Sequence, residues 1–460
     1  MNPPPLTPLQ QRNKRLSTVI IGASPAALST ACLLAEGGAE VTVLETQPDD
    51  ISGRSKSAEC GAISGDDLFR PRLAARLFYR GKFFSFPLRP LETFRHLGVF
   101  ESLRCAMSYL HARLFPIEKP RNCEQWAINQ FGRRLFQLFI KACTEKAWGT
   151  SCRKISSEWA AERLGGGAVT SGFLFRGKSR ANSLAKAGDI AERVTRLGGA
   201  VKFRQTVIAC HYEAASQRWQ VVHHDVDGHT STTTADHVIS GVPIPALVGM
   251  LSPAPSSPLL AAAAGLKYRD CVTVVLTCEG PQTLTDRAIA IHEPRMQASR
   301  IQNFGSAFPG SEAGGVRARY GVEYLCQEGD KLWSLSDSDL VDLASFEMEW
   351  LGLIGRGNVR DGCVVRQSKA FPIPDLDHER NVKMVCDEIE RTFPSLHLVG
   401  CPGMTRPEDQ VRCTMTATHC AEKILAGGDS PNRCAVNGDA PCHASWHRFQ
   451  CAFSAVGRAD

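Results

Sequence analysis

Thr18-Val-Ile-Ile-Gly-Ala-Ser-Pro-Ala-Ala-Leu28 opens a stretch that runs on through Ala- and Leu-rich residues and closes at Ala39-Glu-Val-Thr-Val-Leu-Glu45. Val19 to Ile21 are apolar and β-branched, as a buried parallel strand requires. Pro25 suits the first turn of a helix, where its missing N–H costs nothing. Ala26 to Glu36 has helical composition, Gly37-Gly38 ends it, and Val41 to Leu44 supply a second strand. The result is a βαβ unit of about 30 residues closed by an acid, the layout of a dinucleotide-binding fold. Glu45 stands where such folds place a carboxylate against ribose hydroxyls.

Gly22, Ser24 and Ala27 occupy the three positions of G-x-G-x-x-G. Alanine satisfies the third, which needs close helix–strand packing. Serine at the second adds a Cβ and a hydroxyl where the backbone should approach a pyrophosphate. It either crowds the phosphate or gives it a replacement hydrogen bond.

The 460 residues suffice for two domains with a sizeable core. A hydrophobic content of 43% with 22% charged residues describes an ordinary globular chain. The formal charge of +6 is spread along the sequence and gives no case for nucleic acid. No apolar run approaches the roughly 20 residues that cross a bilayer. Residues 1–15 read as a flexible leader without a signal-peptide core, so the expected location is cytoplasmic. The 18 cysteines are scattered and are expected to be reduced thiols, mostly apolar fillers.

After Glu45 comes Asp49-Asp50-Ile51-Ser52-Gly53-Arg54-Ser55-Lys56-Ser57. The βαβ unit followed by this segment resembles flavin-containing amine oxidases and protoporphyrinogen oxidases. In that family a Gly-Gly-x-x-Arg segment lies along the FAD pyrophosphate and ribose; here Ser52-Gly53 stand for the glycines and Lys56 for the arginine. Phe78 to Leu88, Thr144 to Gly149 and Ile155 to Ala161 are similar to segments of a protoporphyrinogen-oxidase-like group. A Gly-Gly-His piece and an aromatic substrate loop of that group are missing. Gly400-Cys401-Pro402-Gly403-Met404-Thr405-Arg406 resembles its C-terminal FAD motif Gly-Arg-Asn-Gly-Met-x-Arg, with Cys401 and Pro402 replacing Arg and Asn. Val411 replaces an acid further on.

The resemblance implies an α/β fold: a Rossmann-like FAD-binding domain assembled from residues 16–70, 189–245 and 362–428. A mixed α+β substrate domain takes 71–188 and 246–361, and 429–460 form a polar tail. FAD would meet Gly22, Ser24, Ala27, Glu45, Gly53, Lys56, the Val207 backbone, Gly400, Gly403 and Met404. Arg300, Gln302, Asn303, Glu323 and Tyr324 are the candidates for a small-molecule substrate, since forked donors suit a polar or anionic group; a buried packing network is the alternative. The implied activity is FAD-dependent oxidation with no identifiable general base. Two alternatives stand beside it: a non-catalytic relative with weakened or lost flavin binding, and a flavin-dependent sugar-nucleotide mutase in which Arg300 meets phosphate.

Other features have plainer expectations. Ala200 to Val207, Trp219 to Val222 and His237 to Ser240 read as strands, and Pro243 to Pro258 as a proline-rich link. Ser336 and Asp339 form a capping box, and the tryptophans belong to the core. Leu97, Phe100, Leu103, Met107, Leu110 and Leu114 recur at helical spacing and predict a core-facing cap helix, with a membrane-surface helix as the alternative. Asn122 to Lys141 predicts one further helix. His223, His224 and His229 sit at a hairpin without a carboxylate at ligand spacing, and His443 and His447 lie in the tail. Neither group makes a metal site.

Overall fold

A computed structural model of the chain describes residues 16–46, 76–85, 90–165, 187–280, 284, 286, 288–305, 317–400 and 410–427. The strands are β1 Ser17–Ile21, β2 Glu40–Leu44, β3 Arg76–Tyr79, β4 Lys82–Ser85, β5 Ala200–Lys202, β6 Thr206–Glu213, β7 Arg218–His224, β8 Thr230–Ala235, β9 His237–Ser240, β10 Leu251–Ser252, β11 Tyr268–Glu279, β12 Ala288–Ile291, β13 Arg300–Gly305, β14 Arg317–Cys326, β15 Val359–Pro372 and β16 Leu396–Leu398. The helices are α1 Pro25–Glu36, α2 Pro90–Leu97, α3 Val99–Leu114, α4 Cys123–Leu135, α5 Ala142–Trp148, α6 Ser157–Gly165, α7 Ala187–Arg196, α8 Ile244–Met250, α9 Ser257–Ala264, α10 Asp337–Trp350, α11 His378–Thr392 and α12 Gln410–Ala426.

The opening βαβ unit forms as its residues dictate. β1 pairs in parallel with β2 on one side and β9 on the other, in a five-stranded parallel sheet of order β16-β9-β1-β2-β5. Ile20, Leu28, Leu34 and Val43 are fully buried between this sheet and its helices. A four-stranded sheet, β10-β6-β7-β8, lies over the other apolar face around Trp219, whose Nε1 donates to Ser395 Oγ at 2.9 Å.

A seven-stranded mixed sheet, β15-β11-β14-β13-β12-β3-β4, makes the second core. Strand alternation divides its residues between two faces. Val272, Val274, Leu276, Val322 and Tyr324 pack with Leu340, Ala344 and Met348 of α10. Ser336 caps α10 as its box predicts, accepting from the Asp339 amide at 3.1 Å and donating to the Asp339 carboxylate at 2.6 Å.

Several expectations need correction. Ala200 to Val207 is two strands, because Arg204 takes a positive φ of 55° and turns the chain from the parallel sheet into the four-stranded one. The proline-rich link is mostly ordered: α8 and α9 start at prolines and bury Leu247 and Leu259. The helix expected from Asn122 to Lys141 breaks at Gly132 (φ +78°) and continues as a π turn over Phe136–Lys141. The cap helix is corrected most. Phe100, Leu103, Met107, Leu110 and Leu114 face outward, and α3 buries Cys105 and Ala112 instead.

The free cysteines of the described residues are mostly buried, and burial pushes the thiols of Cys32, Cys210 and Cys420 up to about 12. Cys363 departs from the reduced expectation: it is disulfide-bonded. No helix among the described residues is long and apolar enough to cross a membrane.

Candidate functional site

The strand ends β1, β9 and β16 meet the start of α1 at the carboxyl edge of the parallel sheet, where open α/β folds bind ligands. Gly22 ends β1 at φ +87°, and its amide donates to Leu44 O at 2.8 Å. A Cβ there would meet Val242 Cγ1 at 3.1 Å in a backbone conformation that side chains disfavour. Gly400 follows β16 at φ +87°. Its missing Cβ would sit 3.5 Å from Ala26 Cβ and 4.0 Å from Ser24 Oγ, so residues far apart in sequence share one small space. Gly241, after β9, closes the third side, with its Cβ position 2.8 Å from Ser24 Oγ and 3.0 Å from Ala27 Cβ.

Two acceptors of the chain itself occupy this turn. The Glu45 carboxylate accepts the Ala23 amide at 2.5 Å, and Ser24 Oγ caps α1 by accepting the Ala27 amide at 3.3 Å. The Ser24 hydroxyl therefore points back into its own helix. Pro25 has no N–H, so the amides of Ser24 and Ala26 are the turn's donors not spent on described residues. A helix start with bare amides and crossing glycines fits the pyrophosphate of a dinucleotide cofactor. Ser24 reduces the donor set by one.

Val207 lies beside this edge. Gln205 donates its amide to Glu45 O at 2.9 Å, and a β-bulge follows between Val207 and Ala209. Gly53, Lys56, Gly403 and Met404 lie outside the described residues, as do Ser52, Cys401 and Pro402.

The five substrate candidates do not form one surface. Arg300, Gln302 and Glu323 share the sheet face opposite α10. Arg300 Nε and Nη2 each reach Glu323 at 2.8 Å, and Gln302 Nε2 donates to the same carboxylate. Asn303 and Tyr324 point to the other face, because side chains alternate along a strand. Asn303 Nδ2 donates to Leu284 O at 2.6 Å and Asp286 O at 3.3 Å. Tyr324 is fully buried and donates to Glu347 at 3.1 Å. Burial raises the Tyr324 pKa well above its ordinary value and raises that of Glu347.

Sequence reading missed a second buried charge cluster. Lys146 Nζ donates to Met296 O at 2.9 Å, Ala298 O at 2.5 Å and Ile291 O at 3.3 Å, and burial lowers its pKa. Glu347 accepts the amides of Gln297 at 2.5 Å and Ala298 at 3.1 Å. Between them the two ions pin the loop ahead of β13. The available signal was an acid at i+7 within the Leu340–Ala344–Met348 stripe of an amphipathic helix.

His223 is buried and bonded to Gln205 at 2.6 Å and Thr233 at 3.1 Å, away from any ligand role. The hairpin does place carboxylates near a histidine, contrary to the sequence reading: Asp225, Asp227 and His229 offer atoms within 4.8 Å of one another. Asp225 Oδ1 is spent on the amides of Asp227 and His229, at 2.9 and 3.0 Å, which makes the cluster a turn device. His443 and His447 lie outside the described residues.

Two family models match the sequence of the chain. Residues 20–84 match the NAD(P)-binding Rossmann-like domain, and residues 107–353 match the flavin containing amine oxidoreductase family. The chain belongs to the flavin containing amine oxidoreductase family. Membership makes it an amine-oxidase-like flavoprotein of the oxidoreductase class. No curated protein matches the chain.

Solved structures share the family fold at low identity. A reduced UDP-galactopyranose mutase superposes with TM-score 0.69 at 17% identity, covering 90% of this chain and 97% of its own. A protein assigned as a protoporphyrinogen oxidase from Exiguobacterium sp. 255-15 gives 0.65 at 16%, covering 90% and 99%. An oxidoreductase from Methanosarcina mazei gives 0.50 at 15%, covering 88% and 100%.

Proposed function

We propose that the chain binds FAD along the carboxyl edge of its parallel sheet and oxidises a neutral, polar small molecule against the Arg300 face of the mixed sheet. The observation that carries this reading is the meeting of Gly22, Ser24, Ala27 and Gly400 beside Glu45. When bound, FAD supplies a two-electron acceptor. The chain's own residues bind and orient. Glu45 holds the turn and faces the ribose side, and the helix start and glycines admit the pyrophosphate. The Val207 backbone follows the adenine end, with Gly53, Lys56, Gly403 and Met404 completing the cradle.

Arg300, partly exposed and fixed by Glu323, gives the substrate side its polar group, and the fully buried Gln302 braces that carboxylate from behind. The Arg300 charge is balanced by a carboxylate at 2.8 Å, so this patch suits a neutral polar group better than an anion. The same balance works against a phosphate there, and so against the mutase reading. Ser24 supports weak cofactor retention, because its hydroxyl consumes an amide that the pyrophosphate would use.

The experiment is flavin content followed by titration. Purified protein is expected to carry sub-stoichiometric flavin and to take up added FAD reversibly, with flavin absorbance then bleached anaerobically by an oxidisable substrate. Uptake without bleaching by a panel of neutral polar donors would support the non-catalytic relative. No uptake of FAD would end the flavin reading of this edge.

A further inference from the structure

Helix α3 is amphipathic the wrong way round for a cap. Its inward side is small and polar: Cys105 and Ala112 are buried, Ser108 Oγ accepts the Arg134 amide at 3.0 Å, and Glu101 is paired with Arg134. Its outward side carries Val99, Phe100, Leu103, Met107, Leu110 and Leu114, exposed by 63, 88, 56, 56, 59 and 64%. At about 100° per residue all six fall in one arc of roughly 100°. Leu91 of α2 and Phe115, just past the end of α3, are exposed as well. A contiguous apolar surface of this kind marks an interaction site.

Rotation of the helix to hide the stripe is blocked. Gly132 of α4 lies so close to α3 that a Cβ there would stand 2.6 Å from Tyr109 N and 2.8 Å from Ser108 O. Two backbones in contact, with the Glu101–Arg134 pair beside them, lock the apolar side outward.

The flanks of the stripe are basic. Residues 90–121 hold Arg95, Arg104, Arg113, Lys119 and Arg121 against Glu92, Glu101 and Glu118. Glu101 is neutralised by Arg134, and Glu92 accepts the Ser85 amide at 3.2 Å. Arg113 lies over the Tyr109 ring, 5.1 Å from its centre. None of Arg95, Arg104 and Arg113 is in an ion pair among the described residues.

We propose that the α2–α3 face docks on an anionic lipid surface. A helix lying in the interfacial plane needs a broad apolar arc with basic residues at its margins, and α3 has both. Its side chains stand clear as a ridge, suited to insertion between headgroups rather than to a filled groove. A second copy docked on the same face would bring like-charged arginine margins together. Anionic lipid is the occupant that satisfies the apolar arc and the arginines at once.

The test is co-sedimentation of the full chain with phosphatidylcholine vesicles, with and without phosphatidylserine, at about 0.1 M salt. Phosphatidylserine should raise the partition coefficient, and about 0.5 M salt should reverse most of that gain. Phe100→Ser with Leu103→Ser and Leu110→Ser should lower binding at least about tenfold while leaving the melting temperature in place. Arg104→Gln with Arg113→Gln should lower phosphatidylserine-dependent binding about thirtyfold. Wild-type protein that stays in the supernatant, or a triple serine variant that binds as well as wild type, overturns the proposal. A concentration-dependent dimer that the serine variant dissolves assigns the face to a second copy and overturns it equally.

Discussion

The Glu45 carboxylate accepts the Ala23 amide at 2.5 Å, so the acid that follows the second strand also closes the turn after the first. The sequence motif assigns this acid to ribose alone, and the structure adds a structural bond. Glu45→Ala should therefore leave a backbone donor unpaired in the turn and weaken FAD binding by about 1–3 kcal/mol, or roughly five- to 150-fold. Glu45→Gln keeps an acceptor for Ala23 and should lose less. Fluorescence titration gives both numbers, and equal affinity in wild type and Glu45→Ala would falsify the assignment.

Ser24→Gly acts on the same turn in the opposite direction. It costs a few tenths of a kcal/mol of helix capping, because glycine is itself a tolerated N-cap. It frees the Ala27 amide for a phosphate oxygen, a charge-assisted bond worth about 1.5–3 kcal/mol. The net expectation is FAD binding tightened about tenfold with a nearly unchanged melting temperature. Unaltered affinity by the same titration would show that the Ala27 amide never reaches the cofactor.

Local chemistry explains which parts of this molecule were legible in the sequence. Strand β1, Pro25 and the Ser336–Asp339 box announce themselves because their partners lie within a few residues. The approach of Gly400 to Ser24 leaves no local trace, since it depends on how β16 adds to the sheet. Only family likeness pointed there. Helical spacing in α3 correctly grouped Phe100, Leu103, Met107, Leu110 and Leu114 on one side, but periodicity does not say which side turns inward. That was decided by Gly132 and by the Glu101–Arg134 pair, both contributed through a neighbouring helix. Likewise the strand of Arg300 showed its forked donors, while the carboxylate that holds them comes from the adjacent strand β14.

Arg300 and Glu323 face one another across β13 and β14, with side chains only 19% and 7% exposed. Arg300→Lys replaces a planar two-bond fork by a point donor and leaves part of Glu323 unsatisfied. A loss of about 1–2 kcal/mol is expected, seen as a fall of about 1–2 °C in melting temperature for a chain of this size. A melting temperature that does not move, together with lost substrate oxidation, would show that Arg300 serves the substrate and contributes little to packing.

Buried histidines give the fold an acid limit. Burial lowers the pKa of His292 to about 4, and also lowers those of His237 and His223. His292 Nδ1 has no partner among the described residues, and His237 Nδ1 meets His397 Nε2 at 3.1 Å, a contact that doubly protonated rings could not keep. His292 is neutral when folded and takes up a proton when unfolded once the pH drops below about 6.5. Its contribution is thus complete above about pH 6.5 and is lost as the pH falls toward 4, and the lowered pKa values of His237 and His223 act in the same direction. His292 alone accounts for up to about 3 kcal/mol over that interval. Urea unfolding at a series of pH values from 7.5 to 4.5 should show stability declining below about pH 6.5, and His292→Gln should flatten part of the slope at the acid end. A stability that is level across this range, or a slope identical in the variant, would mean that His292 is hydrated and titrates near its ordinary value in the folded protein.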